Sequence, residues 1–320
     1  MVPVLVVLGF SIPLPANPVH TAVASAVPRL VSGAKGHAEQ KTCFACHNQA
    51  YPMLALTAAR DRGHELPTQF LKTQGEHIAA FLAANKERFR DGRGTGGAAA
   101  TAAFALFTLD LAGYAPDDST AAVAEYLLKF PGDRDHWRTG SNRPPTEASH
   151  FTITYLAMRV LRKYGVADDK EKIAKRVDAA RGWLVKTPAK DTEDRVFRLL
   201  GLKEAAAHEK EIAAAAFELL QTQQADGGWS QLDKGETDAY ATGSALYALH
   251  EGGGLKATSP AFKAGVAFLL KTQRPDGTWK VKSRSKPFQP YYESGFPYEK
   301  DQFISISATG WAIVALTAAK

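Results

Sequence analysis

A chain of 320 residues with 45% hydrophobic and 22% charged residues has the composition of an ordinary globular protein. Its net charge is +6, and the basic residues are scattered along the chain. No basic stripe is interleaved with aromatic residues, which argues against a nucleic-acid partner. With only two cysteines, the chain cannot build a disulfide framework.

The chain begins with an apolar run over residues 1–10, followed by a proline-containing stretch. This run is too short to span a bilayer, which needs about 20 residues. It resembles the apolar part of an export signal, with Ala16 or Ala22 as the cleavage site, although the usual positive start is missing. We therefore predict an export signal within residues 1–22, a periplasmic or otherwise exported location, and one folded domain over residues 23–320. No other segment is apolar enough to cross a membrane.

Both cysteines lie in one pentapeptide, Cys43-Phe44-Ala45-Cys46-His47. Cys-x-x-Cys-His is the attachment signature of c-type haem, in which the thiols bond the vinyl groups and the imidazole ligates iron. The first hypothesis is therefore a haem c held by Cys43, Cys46 and His47, with a redox role and a redox partner. Two alternatives stay open. The same three side chains could ligate zinc with one further group, or the cysteines could form a disulfide in an oxidising compartment.

An internal repeat dominates the second half of the chain. The octapeptide Thr-Gln-Gln-Ala-Asp-Gly-Gly-Trp at residues 222–229 recurs as Thr-Gln-Arg-Pro-Asp-Gly-Thr-Trp at residues 272–279. Each copy follows an amphipathic helical run and precedes an Ala-rich one, and weaker copies upstream bring the total to about six helix pairs. The second helix of each pair is apolar on every side and must be buried all round. We predict an all-α domain, an α/α toroid of about six helix hairpins with inner and outer rings.

Aligning the repeats places Cys46, His150 and Asp238 at the N-terminal ends of inner helices, around one mouth of the ring. We therefore add His150 and Asp238 to the candidate metal ligands Cys43, Cys46 and His47. For Asp238 the alternative is a helix N-cap, and for His150 it is a position beside such a cap. Parallel helix N-termini at this mouth would also favour an anion.

Two connections, over residues 131–147 and 281–303, are much longer than the others and both lead from an outer to an inner helix. They should cover the same mouth as lids. The predicted cavity and lid residues are Trp137, Arg143, Tyr240, Tyr291, Tyr292 and Phe296. Their aromatic rings suit a porphyrin or an isoprenoid chain, and Phe288 belongs to the same set. The alternative is that these rings only pin a long loop to the body.

The two Gln-x-x-Asp-Gly-x-Trp copies resemble the QW repeats of the terpenoid cyclase and protein prenyltransferase superfamily, an α/α-toroid family. Within it, the chain looks closest to exported bacterial toroids that carry Cys-x-x-Cys-His near the N-terminus. The resemblance implies an apolar, anion-headed, isoprenoid-like ligand. However, neither the Asp-x-Asp-Asp acid of class II cyclases nor the Asp-Asp-x-x-Asp of class I synthases occurs in the sequence. The alternative to a haem protein is therefore a non-cyclising binding protein or a divergent transferase.

Overall fold

The computed structural model describes residues 17–130, 135–286 and 290–319. In chain order, its helices are α1 (Pro18–Gln40), α2 (Tyr51–Asp61), α3 (Phe70–Ala84), α4 (Lys86–Arg90), α5 (Ala99–Leu111), α6 (Asp118–Lys129), α7 (His150–Tyr164), α8 (Lys170–Lys186), α9 (Thr192–Glu204), α10 (Glu209–Leu220), α11 (Ala239–Tyr247), α12 (Pro260–Thr272) and α13 (Gln302–Thr317). Short π-helical turns, Cys46–Ala50 and Ala248–Gly252, adjoin α2 and α11, and 3-10 turns lie at Ala167–Asp169 and Glu299–Asp301. A two-stranded antiparallel ribbon pairs β1 (Trp229–Ser230) with β2 (Thr237–Asp238).

The long helices form six hairpins, each with an outer helix followed by an inner one. The outer helices are α1, α3, α6, α8, α10 and α12, and the inner helices are α2, α5, α7, α9, α11 and α13. Inner helices are buried along nearly their whole length because apolar or small residues occupy every side, whereas outer helices bury one face. Since α13 packs against both α11 and α2, the last inner helix meets the first and the ring closes. The predicted α/α toroid of six hairpins is confirmed.

Three buried tryptophans anchor the turns between outer and inner helices. Trp137, Trp229 and Trp279 donate their indole N–H to the carbonyls of Leu127, Leu219 and Leu269, and their backbone N–H to the hydroxyls of Thr154, Thr242 and Thr309, respectively. Trp137 therefore belongs to a third copy of the repeat, which the sequence conceals because the Asp-Gly turn is missing. The prediction that Trp137 lines the cavity is wrong, because its side chain is fully buried in the scaffold.

The repeat glutamines tie each outer helix to the next. Gln223 Nε2 donates to the carbonyls of Gly227 and Ala261, and Gln273 Nε2 donates to the carbonyls of Gly277 and Ala22. The second pair of bonds joins the end of α12 to the start of α1 and seals the outer ring. The predicted boundary after residue 22 falls inside α1, beside the buried Ala22.

Residues 1–16, which carry most of the predicted export signal, lie outside the described residues. Within the described ranges, no helix combines the length and apolar character that crossing a bilayer requires.

A glycine sets the distance between two inner helices. A Cβ added to Gly243 of α11 would lie 2.5 Å from the carbonyl carbon of Trp311 in α13, whereas one added to Gly182 of α8 would meet nothing within 4 Å. We expect Gly243→Ala to lower the free energy of unfolding by about 1–3 kcal/mol through overpacking. The matched control, Gly182→Ala, should raise it by about 0.5–1 kcal/mol, because glycine is a poor helix former. Urea unfolding of both variants measures the effect, and equal responses would contradict the close approach.

Candidate functional site at the toroid mouth

One mouth of the toroid is surrounded by the N-terminal ends of the inner helices and covered by the two long connections. The connections touch each other where the Ser285 hydroxyl donates to the Pro144 carbonyl at 3.3 Å. Two cavities open here, of about 370 Å³ and about 1150 Å³. Both are lined by Cys46, His47, Arg143, Glu147, Lys286 and Tyr292. These shared residues place the pentapeptide of the sequence prediction at the junction of the cavities.

Cys46, His47 and Glu147 form a compact cluster. The Cys46 thiol donates to Glu147 Oε1 at 2.8 Å, and Cys46 Sγ lies 3.9 Å from His47 Nδ1. One potential ligand atom from each residue lies within 4.8 Å of the other two. The second carboxylate oxygen, Glu147 Oε2, accepts from the Arg143 guanidinium. Glu147 was not among the residues singled out in the sequence, where it lies 101 positions after Cys46.

Burial keeps two members of the cluster, Cys46 and His47, uncharged. Burial raises the pKa of the Cys46 thiol to about 11, an effect that the nearby Arg143 only partly offsets. Burial also lowers the pKa of His47 to about 3, and the positive charges of His37 and Arg143 act in the same direction. At neutral pH, Cys46 is therefore a thiol and His47 a neutral imidazole with a free lone pair on one ring nitrogen.

Cys43 takes no part in this cluster. It is exposed, it lines the larger cavity, and both cysteines are free thiols, so no disulfide joins them. The Cys43 carbonyl lies 2.8 Å from His37 Nε2, and His37 Nδ1 lies 2.7 Å from the Tyr292 hydroxyl. Tyr292 thereby connects the second lid segment to the backbone of the pentapeptide.

The other two predicted metal ligands are also outside the cluster, although both lie at the N-terminal end of an inner helix. Asp238 caps α11: its Oδ1 accepts from the Ala241 N–H at 2.9 Å and its Oδ2 from Gln231 Nε2 at 2.8 Å. His150 opens α7, and its Nδ1 accepts from the Thr139 N–H at 3.2 Å. Its ring packs 5.7 Å from the ring of His136. Asp238 is therefore a helix N-cap, as the alternative interpretation held. His150 packs against the first long connection through Thr139 and His136.

The predicted lid residues divide into two groups. Arg143, Tyr291 and Tyr292 line the cavities, together with the exposed Lys282 and Lys300. Phe296 does not line either cavity, because it is fully buried against Gly33 of α1. It pins the second connection to the body, as the alternative interpretation held, and Phe288 lies outside the described residues.

A buried carboxyl lies beneath the cavity floor. Glu193, near the start of α9, accepts from the Tyr240 hydroxyl at 3.0 Å and from the Thr152 hydroxyl at 2.9 Å. Tyr240 is itself 3.0 Å from the hydroxyl of Thr146, which lines the smaller cavity. Burial raises the pKa of Glu193 to about 8, and the neighbouring Asp191 and Asp194 add to the rise. Glu193 is therefore a neutral carboxylic acid at pH 7, and Tyr240 lies below the cavity rather than in its wall.

Comparison with known proteins fixes the relationship that the repeats indicate. Residues 161–320 match the model of the squalene-hopene cyclase C-terminal domain. The chain belongs to this family. It is 30% identical over 195 residues to drimenyl diphosphate synthase of Streptomyces showdoensis, which covers 55% of this chain and 34% of the relative. The chain therefore spans about a third of the length of this curated relative.

Solved structures agree on the fold. A type II terpene cyclase from Scytonema, in complex with geranylgeranyl dihydroxybenzoate, superposes with a TM-score of 0.58 at 14% identity, over 95% of this chain and 99% of that chain. A protein from Actinoplanes superposes with a TM-score of 0.53 at 17% identity, over 93% of this chain and 100% of that chain. The protein thus has the toroid on which terpene cyclases are built.

The residues at the start of α9 resemble the acid motif of class II terpene cyclases. Asp191-Thr192-Glu193-Asp194 differs from the Asp-x-Asp-Asp acid motif only by one methylene, at its third position. A literal search for the motif misses it, and a search that treats Asp and Glu as equivalent finds it. Asp191 caps α9 through the Asp194 N–H, and Asp194 accepts from the Ser149 hydroxyl. Only Glu193 of the three carboxyls is held by two buried hydroxyls beneath the cavity.

Proposed function

We propose that this protein binds a prenylated molecule with an anionic head group at the toroid mouth and protonates it through Glu193. The observation that carries the proposal is a buried carboxyl two hydrogen bonds below a cavity with a cationic rim. The binding step and the protonation step rest on different residues and can be tested separately.

The smaller cavity has the features of a site for an amphipathic anion. Its volume of about 370 Å³ lies within the usual range for small-molecule pockets. Lys282, Lys286 and Lys300 carry its positive charge, and Phe303 and Tyr291 provide apolar surface. Cations on an aromatic-lined cleft attract a carboxylate or phosphate head group and leave apolar wall for a hydrocarbon chain.

Glu193 provides the chemistry that a chain of double bonds can undergo. A neutral carboxylic acid at this position can relay its proton through the Tyr240 and Thr146 hydroxyls to an alkene carbon in the cavity, which leaves a carbocation that a second double bond traps. Loss of a proton from carbon then restores a neutral product, so the sequence needs no oxidant or metal. Glu193 regains its proton through the chain of hydroxyls formed by Tyr240 and Thr146.

The comparisons support this choice of ligand. The name of the Streptomyces relative describes a synthase of a terpenoid diphosphate, and the Scytonema cyclase holds a geranylgeranyl dihydroxybenzoate. Both molecules combine a hydrocarbon derived from isoprene units with a polar or anionic group. The cationic rim and aromatic lining of this mouth fit the same combination.

Binding is tested with farnesyl and geranylgeranyl diphosphate, compared with the corresponding alcohols by calorimetry. We expect the diphosphates to bind more tightly than the alcohols and to lose affinity in high salt, because the lysines are exposed. Lys282→Gln with Lys300→Gln should weaken diphosphate binding by about tenfold or more. Lys256→Gln, an exposed lysine outside the linings of both cavities, is the matched control. Equal affinity of diphosphate and alcohol would contradict an anion-binding rim.

A c-type haem with a redox role is a second candidate function. One observation favours it: the pentapeptide Cys43–His47 lines the larger cleft, of about 1150 Å³, with both thiols free. Covalent attachment would require Cys46 Sγ to leave Glu147 and face the vinyl group of a porphyrin. A reduced visible spectrum of protein matured in a host with c-type attachment machinery tests this candidate. A Soret band lost in Cys43→Ala would support it.

A further inference from the structure

The Cys46–His47–Glu147 cluster combines three kinds of ligand that zinc accepts: a thiolate, an imidazole and a carboxylate. Cys46 and Glu147 are buried, and His47 is partly buried against Phe303 at a ring distance of 5.4 Å. The proposed prenyl-binding function uses neither the thiol nor the imidazole. The cluster therefore needs an explanation of its own, and it does not rest on that function.

We infer that Cys46, His47 and Glu147 form a binding site for one divalent metal ion, with zinc as the preferred ion. Zinc–ligand distances of about 2.0–2.3 Å in a tetrahedral site put ligand atoms roughly 3–4 Å apart. The Sγ–Nδ1 separation of 3.9 Å matches this spacing, and the Sγ–Oε1 contact of 2.8 Å would open slightly when an ion replaces the thiol proton. A soft sulfur ligand with an imidazole favours zinc over magnesium or calcium, which prefer oxygen.

The local backbone explains how two adjacent residues can face the same ion. Neighbouring side chains on a regular α-helix diverge by about 100° and seldom share a ligand. Cys46 and His47 instead open the π-helical turn Cys46–Ala50, before α2 begins. Such turns are rare and occur frequently at functional sites. The wider turn brings Sγ of Cys46 and Nδ1 of His47 onto one side.

Glu147 is already oriented as a ligand by a second residue. Its Oε2 accepts from Arg143 while its Oε1 faces Cys46, so the carboxylate is fixed before any ion arrives. Outer hydrogen bonds of this kind are typical of carboxylates that bind metals. The thiolate and the carboxylate would together neutralise a divalent ion, so Arg143 would leave the occupied site with a net positive charge.

Three protein ligands leave the fourth tetrahedral position open. All three residues line both cavities, so this position is accessible from the cavities. Three ligands plus an open position distinguish catalytic zinc sites from closed structural ones. An ion here would keep one position for water or another small ligand that enters from the cavity. Binding releases the Cys46 proton to solvent as the sulfur–metal bond forms.

The inference is tested on the full chain without an affinity tag that binds metal. Wild-type protein stripped with a chelator and refilled with zinc should bind one equivalent, measured by mass spectrometry of the metal. Cobalt in its place should give a thiolate-to-cobalt charge-transfer band. Cys46→Ser should abolish the band, and Glu147→Gln should weaken zinc binding by about 10–100-fold. Cys43→Ser, the exposed cysteine outside the cluster, is the matched control and should keep both signals.

Any of three metal-binding results would overturn the inference: a cobalt band that depends on Cys43 as strongly as on Cys46, stoichiometric binding unaffected by Glu147→Gln, or no zinc after refilling. A Soret band that needs both cysteines would also overturn it, because Cys46 cannot bond a porphyrin and an ion together. Circular dichroism of each variant shows that a lost signal does not reflect unfolding. If Cys46→Ser does not fold, Glu147→Gln and His47→Gln carry the test.

Discussion

Replacing Glu193 with glutamine should abolish the conversion of a prenyl diphosphate while leaving its binding almost intact. Glutamine keeps the size of the side chain and can still bond Tyr240 and Thr152, but it has no acidic proton. General acids contribute about 10²–10⁴-fold to rates, so we expect product formation to fall by at least that factor. Gas chromatography of dephosphorylated products from farnesyl and geranylgeranyl diphosphate measures the conversion.

The matched control for this variant is Asp238→Asn. Asp238 is also a carboxylate at the N-terminus of an inner helix, and burial raises its pKa as well, but it bonds the α11 backbone. Asparagine keeps the N-cap, so this variant should lose only the bond from Gln231, at a cost of about 1 kcal/mol of stability, and leave conversion largely unchanged. Full conversion by Glu193→Gln, or equal losses in both variants, would contradict the role of Glu193 as the acid. If the wild-type protein binds prenyl diphosphates but does not convert them, the proposed binding is supported and the proposed protonation is not.

The same carboxyl should make the stability of the toroid depend on pH. The pKa of Glu193 rises from an ordinary 4.5 to about 8 on burial, so the folded protein keeps a proton that the unfolded chain releases. Stability from this group is complete below pH 4.5 and is lost as pH rises towards 8. The rise in pKa corresponds to roughly 5 kcal/mol. Urea unfolding of wild type and Glu193→Gln between pH 5 and pH 8.5 measures it.

The difference between the two proteins isolates Glu193. His37, His47 and His150 have lowered pKa values, mainly through burial, and act in the opposite sense, gaining stability as pH rises through their unfolded values. They are present in both proteins and cancel. Asp118→Asn is the control, because Lys86 and Arg90 lower the pKa of that exposed carboxyl, and its contribution disappears only in acid. A wild-type minus Glu193→Gln difference that does not change with pH would contradict a neutral Glu193.

The toroid could be predicted because its determinants are local and repeated. Each Gln-x-x-Asp-Gly-x-Trp copy performs one structural task at its own turn, as Gln273, Asp276 and Trp279 do for the sixth hairpin. A helix without a polar face has to be buried, so the inner ring follows from composition. The repeat at Trp137 was not recognised in the sequence because Asp-Gly does not precede this tryptophan. Its hydrogen bonds are nevertheless the same as those of Trp229 and Trp279.

The site was only half predictable. Cysteines and a histidine in one pentapeptide are a visible signal, and the repeat register placed Cys46 at the mouth. Glu147 carries no such signal, because it lies in an irregular connection and reaches Cys46 only through the closed ring. Glu193 was hidden for another reason. Its sequence differs from the expected acid motif, and its protonation state depends on how completely the fold buries it.

The sequence by itself thus determined the architecture and the end of the ring where the candidate site lies, since the repeat period and the hydrophobic pattern are set by residues close together in the chain. The tertiary structure decided which side chains work together at that end. It separated Cys46 from Cys43, joined it to Glu147, and placed Tyr240 and Thr152 on Glu193. These choices depend on approach distances and burial between segments far apart in the chain, which no local pattern records.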